Sequence, residues 1–186
     1  PKNRNRLTMR VLWLTSFVLS DHASALGKNP SPRCGWLAAL ADALAACGEI
    51  ELAIASNVPG IASAQMHMGH IRYYAIPGPK GSVSGRSLPL PLIRAYQDVL
   101  KDFRPDIVHI HGTEYYHGLL TGCGHIKCPT VISIQGIIDV CRWYYCGDIP
   151  LIEQVSSRTL RDWIRLDGLI EQKFKWFKRS KLERDI

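Results

Sequence analysis

Short apolar runs alternate with helix-like segments along most of the chain, and this alternation constrains the fold more than any other feature of the sequence. The runs are apolar at consecutive positions, as expected of strands that are buried on both faces of a parallel sheet. The predicted strands are residues 10–17, 51–56, 71–76, 106–110 and 129–134. We therefore predict an α/β fold, a Rossmann-like parallel sheet with helices on both faces.

The segments between the runs favour helices and loops. Apolar residues recur there at three- and four-residue spacing, which predicts helices at 35–47, 92–103, 115–123 and 151–186, the last with a break near 167–168. Loops are predicted at 18–33, 57–70 and 135–150. With 46% hydrophobic residues the chain can bury one core. We expect residues 9–186 to form one domain, preceded by a leader or appended segment at 1–8.

The N-terminus allows a second interpretation. Basic residues precede the apolar run 11–19, and Ala23-Ser24-Ala25 resembles the cleavage site of a signal peptide. We favour a buried strand, because Trp13 and Thr15 lie inside the run and Asp21-His22 interrupts the approach to that site. A cytoplasmic protein is expected, with secretion as the alternative.

Six cysteines raise the question of a metal site. The pairs Cys123/Cys128 and Cys141/Cys146 have the same spacing. Zinc sites can use this spacing, although their usual ligand pairs are closer together. We expect unpaired thiols, as in a reducing cytosol, and no metal.

Candidate site residues follow the predicted strands, because ligands of parallel α/β sheets bind beyond the carboxyl ends of the strands. His109 and His111 share one face of their strand by its two-residue period, and His111 lies at its end. We predict that His109 is a hydrogen-bonded core residue. His111 is predicted to be a site residue with a near-neutral pKa that faces an open cleft.

Further polar residues and glycines lie at the same edge. Gly112 permits an unusual backbone turn, and Thr113 and Glu114 are candidates either to bind a ligand or to cap the next helix. Gln135 and Gly136 end the following strand, and the glutamine amide can both donate and accept hydrogen bonds.

Two features suit a negatively charged partner. Gly35 is predicted to begin a helix, whose N-terminus attracts phosphate, although glycine is also an ordinary helix cap. Segment 173–184 interleaves basic residues with Phe174, Trp176 and Phe177. This pattern suits a membrane surface or a phosphate backbone, unless the aromatic side docks on the core. The net charge of +7 favours phosphate-bearing partners without choosing among them.

Together these segments resemble the N-terminal, acceptor-side domain of the family-4 glycosyltransferases, which have the GT-B architecture. The resemblance is carried by residues 9–14, 35–40, 104–112 and 129–136, of which Arg-Pro-Asp-Ile-Val-His-Ile-His-Gly at 104–112 is the most specific. Segments 112–114, 133–136 and 159–162 most resemble a bacterial subgroup linked to capsular or other surface polysaccharides. Two positions depart from the family pattern: Cys34 precedes Gly35 where a second glycine is frequent, and Gln135 replaces a frequent histidine.

The resemblance implies that the intact enzyme transfers a sugar from a nucleotide-sugar donor to a glycan or lipid-linked acceptor, with retention and without a cofactor or obligatory metal. It implies that Gly35 meets the donor phosphate and that His111 is the candidate catalytic residue. The sugar and acceptor pocket would be lined by His111, Gly112, Thr113, Glu114, Gln135 and Gly136.

The resemblance also implies a donor-binding half that this chain lacks, so we expect the chain alone to be inactive. A cytoplasmic location is implied, with peripheral contact to the membrane through segment 173–184. The alternative is a free-standing nucleotide- or nucleic-acid-binding α/β module without catalysis, although the sequence shows no nucleic-acid-binding signature.

Overall fold

A computed structural model describes residues 8–29, 35–78 and 88–186. Its strands are β1 (Met9–Thr15), β2 (Ile50–Val58), β3 (Ala64–Met68), β4 (Ile71–Pro77), β5 (Ile107–His111) and β6 (Thr130–Ser133). Its helices are α1 (Ser20–Ala25), α2 (Gly35–Ala46), α3 (Leu90–Phe103), α4 (His117–Gly122), α5 (Ile138–Tyr144), α6 (Leu151–Ser156), α7 (Leu160–Arg165) and α8 (Leu169–Arg184). Cys34, most of the predicted leader and the end of the predicted loop at 18–33 lie outside the described residues.

The strands form one sheet in the order β3-β4-β2-β1-β5-β6. All neighbouring strands are parallel except β3 and β4. The predicted Rossmann-like α/β fold is therefore confirmed. The edge strand β3 corrects the prediction of a loop at 57–70. Its exposed Gln65 and His67 alternate with half-buried residues, so it lacks the continuous apolar run of a central strand.

Two apolar clusters cover the two faces of the sheet, as predicted. On β1, Leu12 and Leu14 point to one side, where residues of α3 and α4 pack against them. Trp13 points to the opposite side, where it joins a cluster that includes Leu37 of α2. Because successive side chains of a strand alternate between faces, a single apolar run supplies both clusters.

Helices α1 and α5 occupy segments that were predicted as loops. Both are short, and neither has a readable apolar stripe: α1 buries His22 and Ala23, and α5 buries only Ile138. Helix α5 is stabilised from outside, because the carboxylate of Glu183 on α8 accepts hydrogen bonds from the backbone N–H groups of Ile138 and Asp139, at 3.1 and 2.8 Å. Local sequence could not indicate a cap supplied by a residue so distant in the chain.

The C-terminal segment forms three helices. The predicted break near 167–168 is confirmed, since Leu166 adopts a left-handed conformation with φ of +50° and α8 begins after Gly168. A second break precedes α7, where Thr159 and Asp162 form a reciprocal capping box. The spacing of these two residues is a sequence signal for a helix start.

Helix α8 docks on the core through its last turns. Leu182 joins the cluster on the α3 and α4 side, and Ser180 is buried. Gly118 and Gly122 of α4 leave space for this contact, because a Cβ at Gly118 would meet the Ile186 side chain at 2.5 Å and one at Gly122 would meet the Asp185 carbonyl at 2.9 Å. Phe174 and Phe177 of α8 remain exposed, whereas Trp176 is half-buried with its ring centroid 5.5 Å from that of Tyr145.

Candidate functional site

The candidate site lies where the strand order reverses. β1 pairs with β2 on one side and with β5 on the other, so connections from these strands leave in opposite directions. Ligands of such sheets bind in the crevice at this switch point, beyond the carboxyl ends of the strands. The carboxyl ends that meet here are Thr15 of β1 and His111 of β5.

His111 is enclosed by aromatic rings. Its ring centroid lies 4.5 Å from that of Trp13, 4.0 Å from that of His109 and 5.8 Å from that of Trp36. Trp36 directly follows Gly35, so the first turn of α2 lies beside the end of β5. The structure thus brings together the two segments that carry the predicted Gly35 and His111 sites.

The environment of His111 differs from the one predicted. The side chain is 3% exposed rather than facing an open cleft. Burial, together with the charge of the adjacent His109, lowers the pKa of His111 to about 3, so its imidazole is neutral at neutral pH. The ring can donate and accept hydrogen bonds, but it is a poor proton donor or base near pH 7.

The two histidines of β5 have different hydrogen bonding. His109 Nε2 lies 2.6 Å from Ser133 Oγ on β6, so the predicted hydrogen bond is present, although the side chain is half-buried and not in the core. Both ring nitrogens of His111 are buried, and neither has a hydrogen-bond partner in the part of the chain that the structure describes. Unpaired buried nitrogens are costly. The ring nitrogens of His111 are already desolvated, so a ligand that reached them would gain a hydrogen bond without the cost of removing water from the imidazole.

More unpaired polar groups lie on the same face of the sheet. Ser56 pairs in register with Thr15, and the two-residue period puts both on the face of Trp13. Ser56 Oγ and both ring nitrogens of the fully buried His22 lack partners among the described residues. Sequence analysis missed both residues. The sequence signal for Ser56 was its position as the polar last residue of a predicted apolar strand. The signal for His22 was its position shortly after another such strand.

Gly112 makes the unusual turn that was predicted. Its φ is +92°, and its N–H donates to the Ser133 carbonyl oxygen at 2.9 Å, which joins the ends of β5 and β6. A Cβ at this position would collide with the carboxyl group of Glu114. Glycine is therefore favoured here by the backbone conformation, and any added Cβ would also make the Glu114 carboxyl group move aside.

We expect Gly112→Ala to lower the free energy of unfolding by about 1–3 kcal/mol, because alanine is strained at this φ and displaces Glu114. Urea denaturation followed by circular dichroism measures the change. Gly136→Ala is the matched control, because its backbone is not left-handed and an added Cβ would meet only Cys141 Sγ, at 3.6 Å. Equal effects of the two substitutions would contradict the assignment of strain to Gly112.

Of the two roles predicted for Thr113, ligand binding or capping the next helix, the structure contradicts the cap. The Thr113 hydroxyl donates to Glu183 Oε1 at 2.5 Å, and α4 begins after Tyr116 without a side-chain cap. Thr113 therefore links β5 to α8 and does not cap the next helix. Glu183, which sequence analysis missed, joins the end of β5, the start of α5 and α8 through a single carboxylate.

The remaining predicted residues lie around this centre. Gly35 is the first residue of α2, and an added Cβ would meet no described atom within 4 Å, so packing does not require glycine there. Glu114 is half-buried beside Gly112. Gln135 is exposed and Gly136 half-buried in the loop after β6, one strand away from His111.

No metal site is apparent in residues 8–29, 35–78 and 88–186, where no three or more His, Cys, Asp or Glu side chains are grouped suitably. Cys47, Cys128, Cys141 and Cys146 are free thiols.

Comparison with known proteins assigns no family, since no family model and no curated protein matches the chain. Solved structures do match. Sucrose-phosphate synthase from Thermosynechococcus elongatus is 10% identical over 84% of this chain and 38% of its own, with a TM-score of 0.46. A trehalose-6-phosphate structure from E. coli, bound with UDP-2-fluoro glucose, is 12% identical over 67% of this chain and 32% of its own, with a TM-score of 0.35. The chain thus spans less than two fifths of each structure, and at these TM-scores neither likeness assigns a function.

Proposed function

We propose that this chain is the acceptor-side, N-terminal domain of a GT-B glycosyltransferase. The intact enzyme transfers a sugar from a nucleotide sugar, with retention, to a glycan or lipid-linked acceptor in bacterial surface polysaccharide synthesis. One observation carries the proposal. The string at 104–112, which resembles family-4 glycosyltransferases, reaches the switch point of the sheet at His111, a buried histidine whose ring nitrogens have no partner among the described residues.

The proposed roles follow from the surroundings of each group. Most of the donor is held by a second domain, while the N-terminus of α2 at Gly35 offers backbone N–H groups to the donor phosphate. As the phosphate leaves, these N–H groups stabilise its developing charge. His111 is neutral, so we assign it a hydrogen bond to a sugar hydroxyl or phosphate oxygen and not a proton transfer.

The acceptor side consists of residues that follow β5 and β6. The Thr113 hydroxyl is already engaged by Glu183, so Glu114 and Gln135 are the residues we assign to acceptor hydroxyls. We also assign Gly112 and Gly136 to this side, Gly112 through the Glu114 carboxyl group that folds over it and Gly136 through the loop after β6. We place the enzyme in the cytoplasm, at the membrane face from which a lipid-linked acceptor is reached.

Calorimetry with a panel of nucleotide sugars tests whether a second domain supplies most of the donor-binding contacts. We expect the 186-residue chain to bind them with a Kd of about 1 mM or weaker and to show no transfer, because it holds few donor contacts. The same chain extended by its native downstream reading frame is expected to transfer sugar.

Micromolar binding with turnover by the 186-residue chain alone would overturn the proposal. A reading frame that stops after Ile186, combined with tight binding of RNA or duplex DNA, would favour the non-catalytic module instead. The nucleic-acid titration needs several salt concentrations, because the net charge of +7 alone produces weak, salt-sensitive binding.

A further inference from the structure

Helices α6 and α7 present an apolar surface to solvent. We call this surface the apolar ridge, and it consists of Leu151, Ile152, Val155, Leu160, Trp163, Ile164 and Leu166. Ile152, Leu160 and Ile164 are 77%, 78% and 75% exposed. An amphipathic helix of a globular domain normally buries its apolar side, and contiguous exposed patches of this kind mark interaction sites.

The ridge belongs to folded helices. Its residues recur at helical spacing, with Leu160, Trp163 and Ile164 on one side of α7. Gln154 of α6 is buried, and its amide donates to the Ile149 carbonyl oxygen at 2.6 Å. Helix α7 has a capping box and buries no residue, and Arg158 joins it to α8 by lying over the Trp163 ring and pairing with Glu171. The apolar side chains are thus held in place while still facing outward.

The charges that flank the ridge are mainly positive. Arg161 and Arg165 lie on α7, and Lys173 and Lys178 are exposed on α8 beside the exposed Phe174. Among the neighbouring carboxylates, Asp162 bonds to Thr159 in the capping box, and Asp167 bonds to Lys175 and Gln172. Asp148 and Glu153 are exposed beside the apolar residues of α6. An anionic partner therefore meets the exposed cations mainly on α7 and the first half of α8.

We propose that the apolar ridge docks this domain on an anionic phospholipid bilayer. The ridge enters the boundary between headgroups and acyl chains, and Arg161, Arg165, Lys173 and Lys178 contact lipid phosphates. The exposed cations Arg161, Arg165, Lys173 and Lys178 outnumber the exposed carboxylates Asp148 and Glu153 beside the ridge, and this excess of positive charge favours a polyanionic plane as the partner. No described helix is both long and apolar enough to span a membrane, so this contact is interfacial.

The membrane contact proposed here differs in position from the one expected at 173–184. The second half of that segment is occupied by docking on the core, where Leu182 and Ser180 are buried. Only its first half, with Lys173, Phe174 and Lys178, adjoins the ridge. The docking surface therefore centres on residues 151–166, where the sequence pattern had indicated only helix.

Vesicle sedimentation of the intact chain tests the proposal independently of any transferase activity. The probes are vesicles of phosphatidylcholine alone and vesicles containing about one quarter phosphatidylglycerol. We expect binding to the anionic vesicles only, weakened by salt. The triple variant Ile152→Ser, Leu160→Ser, Ile164→Ser should lower the partition coefficient at least about tenfold, and Arg161→Glu with Arg165→Glu should do the same.

Control variants carry substitutions of the same two kinds elsewhere on the surface. Leu40→Ser with Leu90→Ser removes exposed apolar side chains, Arg94→Glu reverses an exposed charge, and both should bind vesicles like the parent. Circular dichroism of each variant verifies that it is folded. Absence of binding by the parent, or equal binding by the ridge triple variant, would overturn the proposal. So would ridge-dependent self-association without vesicle binding in analytical ultracentrifugation, since the ridge would then join two copies of the chain.

Discussion

Substituting His111 by phenylalanine should leave the domain folded while abolishing sugar transfer by the intact enzyme. The imidazole makes no hydrogen bond within the described residues, so the change loses no internal bond and removes two buried unpaired nitrogens. Phenylalanine would pack against the rings of Trp13, Trp36 and His109, and we expect the free energy of unfolding to change by less than about 1.5 kcal/mol. Transfer should fall by about 100-fold or more, because a preorganised hydrogen bond to the reacting sugar or phosphate is lost.

His109→Phe is the matched control. His109 lies on the same face of β5 but bonds to Ser133, so its replacement leaves the serine hydroxyl unpaired and should lower stability by about 1–3 kcal/mol. Urea denaturation and initial transfer rates, measured on the same preparations, separate the two positions. If His111→Phe destabilised the domain as much as His109→Phe while the folded fraction stayed fully active, His111 would be a structural residue and the site assignment would be wrong.

The free energy of unfolding of this domain should decrease unusually steeply as the pH falls below 6.5. Burial lowers the pKa of His22 to about 4 and that of His117 to about 3, and burial with the charge of His109 lowers that of His111 to about 3. Unfolding returns each ring to water, where its pKa is near 6.5. Between these values the unfolded chain binds protons that the folded chain does not, so stability is complete above about pH 6.5 and decreases as the pH falls.

The size of this effect follows from the number of protons. Each histidine contributes about 1.4 kcal/mol per pH unit once the pH is well below 6.5, so the three together give on the order of 4 kcal/mol per unit around pH 5. By pH 5 the loss adds up to about 6 kcal/mol, which is comparable to the whole stability of a marginally stable domain. Urea midpoints measured from pH 7.5 down to about 5 report the slope.

His22→Leu tests the origin of the slope. The His22 ring is fully buried beside Tyr73, with ring centroids 4.9 Å apart, and has no hydrogen-bond partner among the described residues. Leucine there should reduce the slope by about 1.4 kcal/mol per pH unit without lowering stability at pH 7.5. His70→Leu, which changes an exposed histidine, should keep the full slope. Identical slopes for the two variants would show that buried histidines do not cause the acid sensitivity.

Sequence patterns located the parts of this protein whose structure depends on local periodicity. The apolar runs predicted five of the six strands of the described residues, because a strand buried on both faces needs consecutive apolar side chains. The same logic failed for β3, α1 and α5. The edge strand is half-exposed, and the two short helices depend on partners distant in the chain, such as Glu183.

The candidate site divides in the same way. The position of His111 at the end of an apolar strand, and the turn at Gly112, could be predicted because the two-residue period and the freedom of glycine are local properties. The burial and uncharged state of His111 could not, because they depend on Trp13 and Trp36 arriving from β1 and α2. Nor could the sequence foresee that Thr113 bonds to Glu183, 70 residues away.

By itself, then, the sequence determined the α/β class, the parallel strands and the edge of the sheet at which polar residues collect. Only the tertiary structure decided which of those residues are free for a ligand, and which apolar side chains of the C-terminal helices remain exposed. The physical reason is that periodicity reports how one segment meets its nearest layer, whereas the pKa of a side chain, its hydrogen-bond partners and its exposure depend on every segment packed around it.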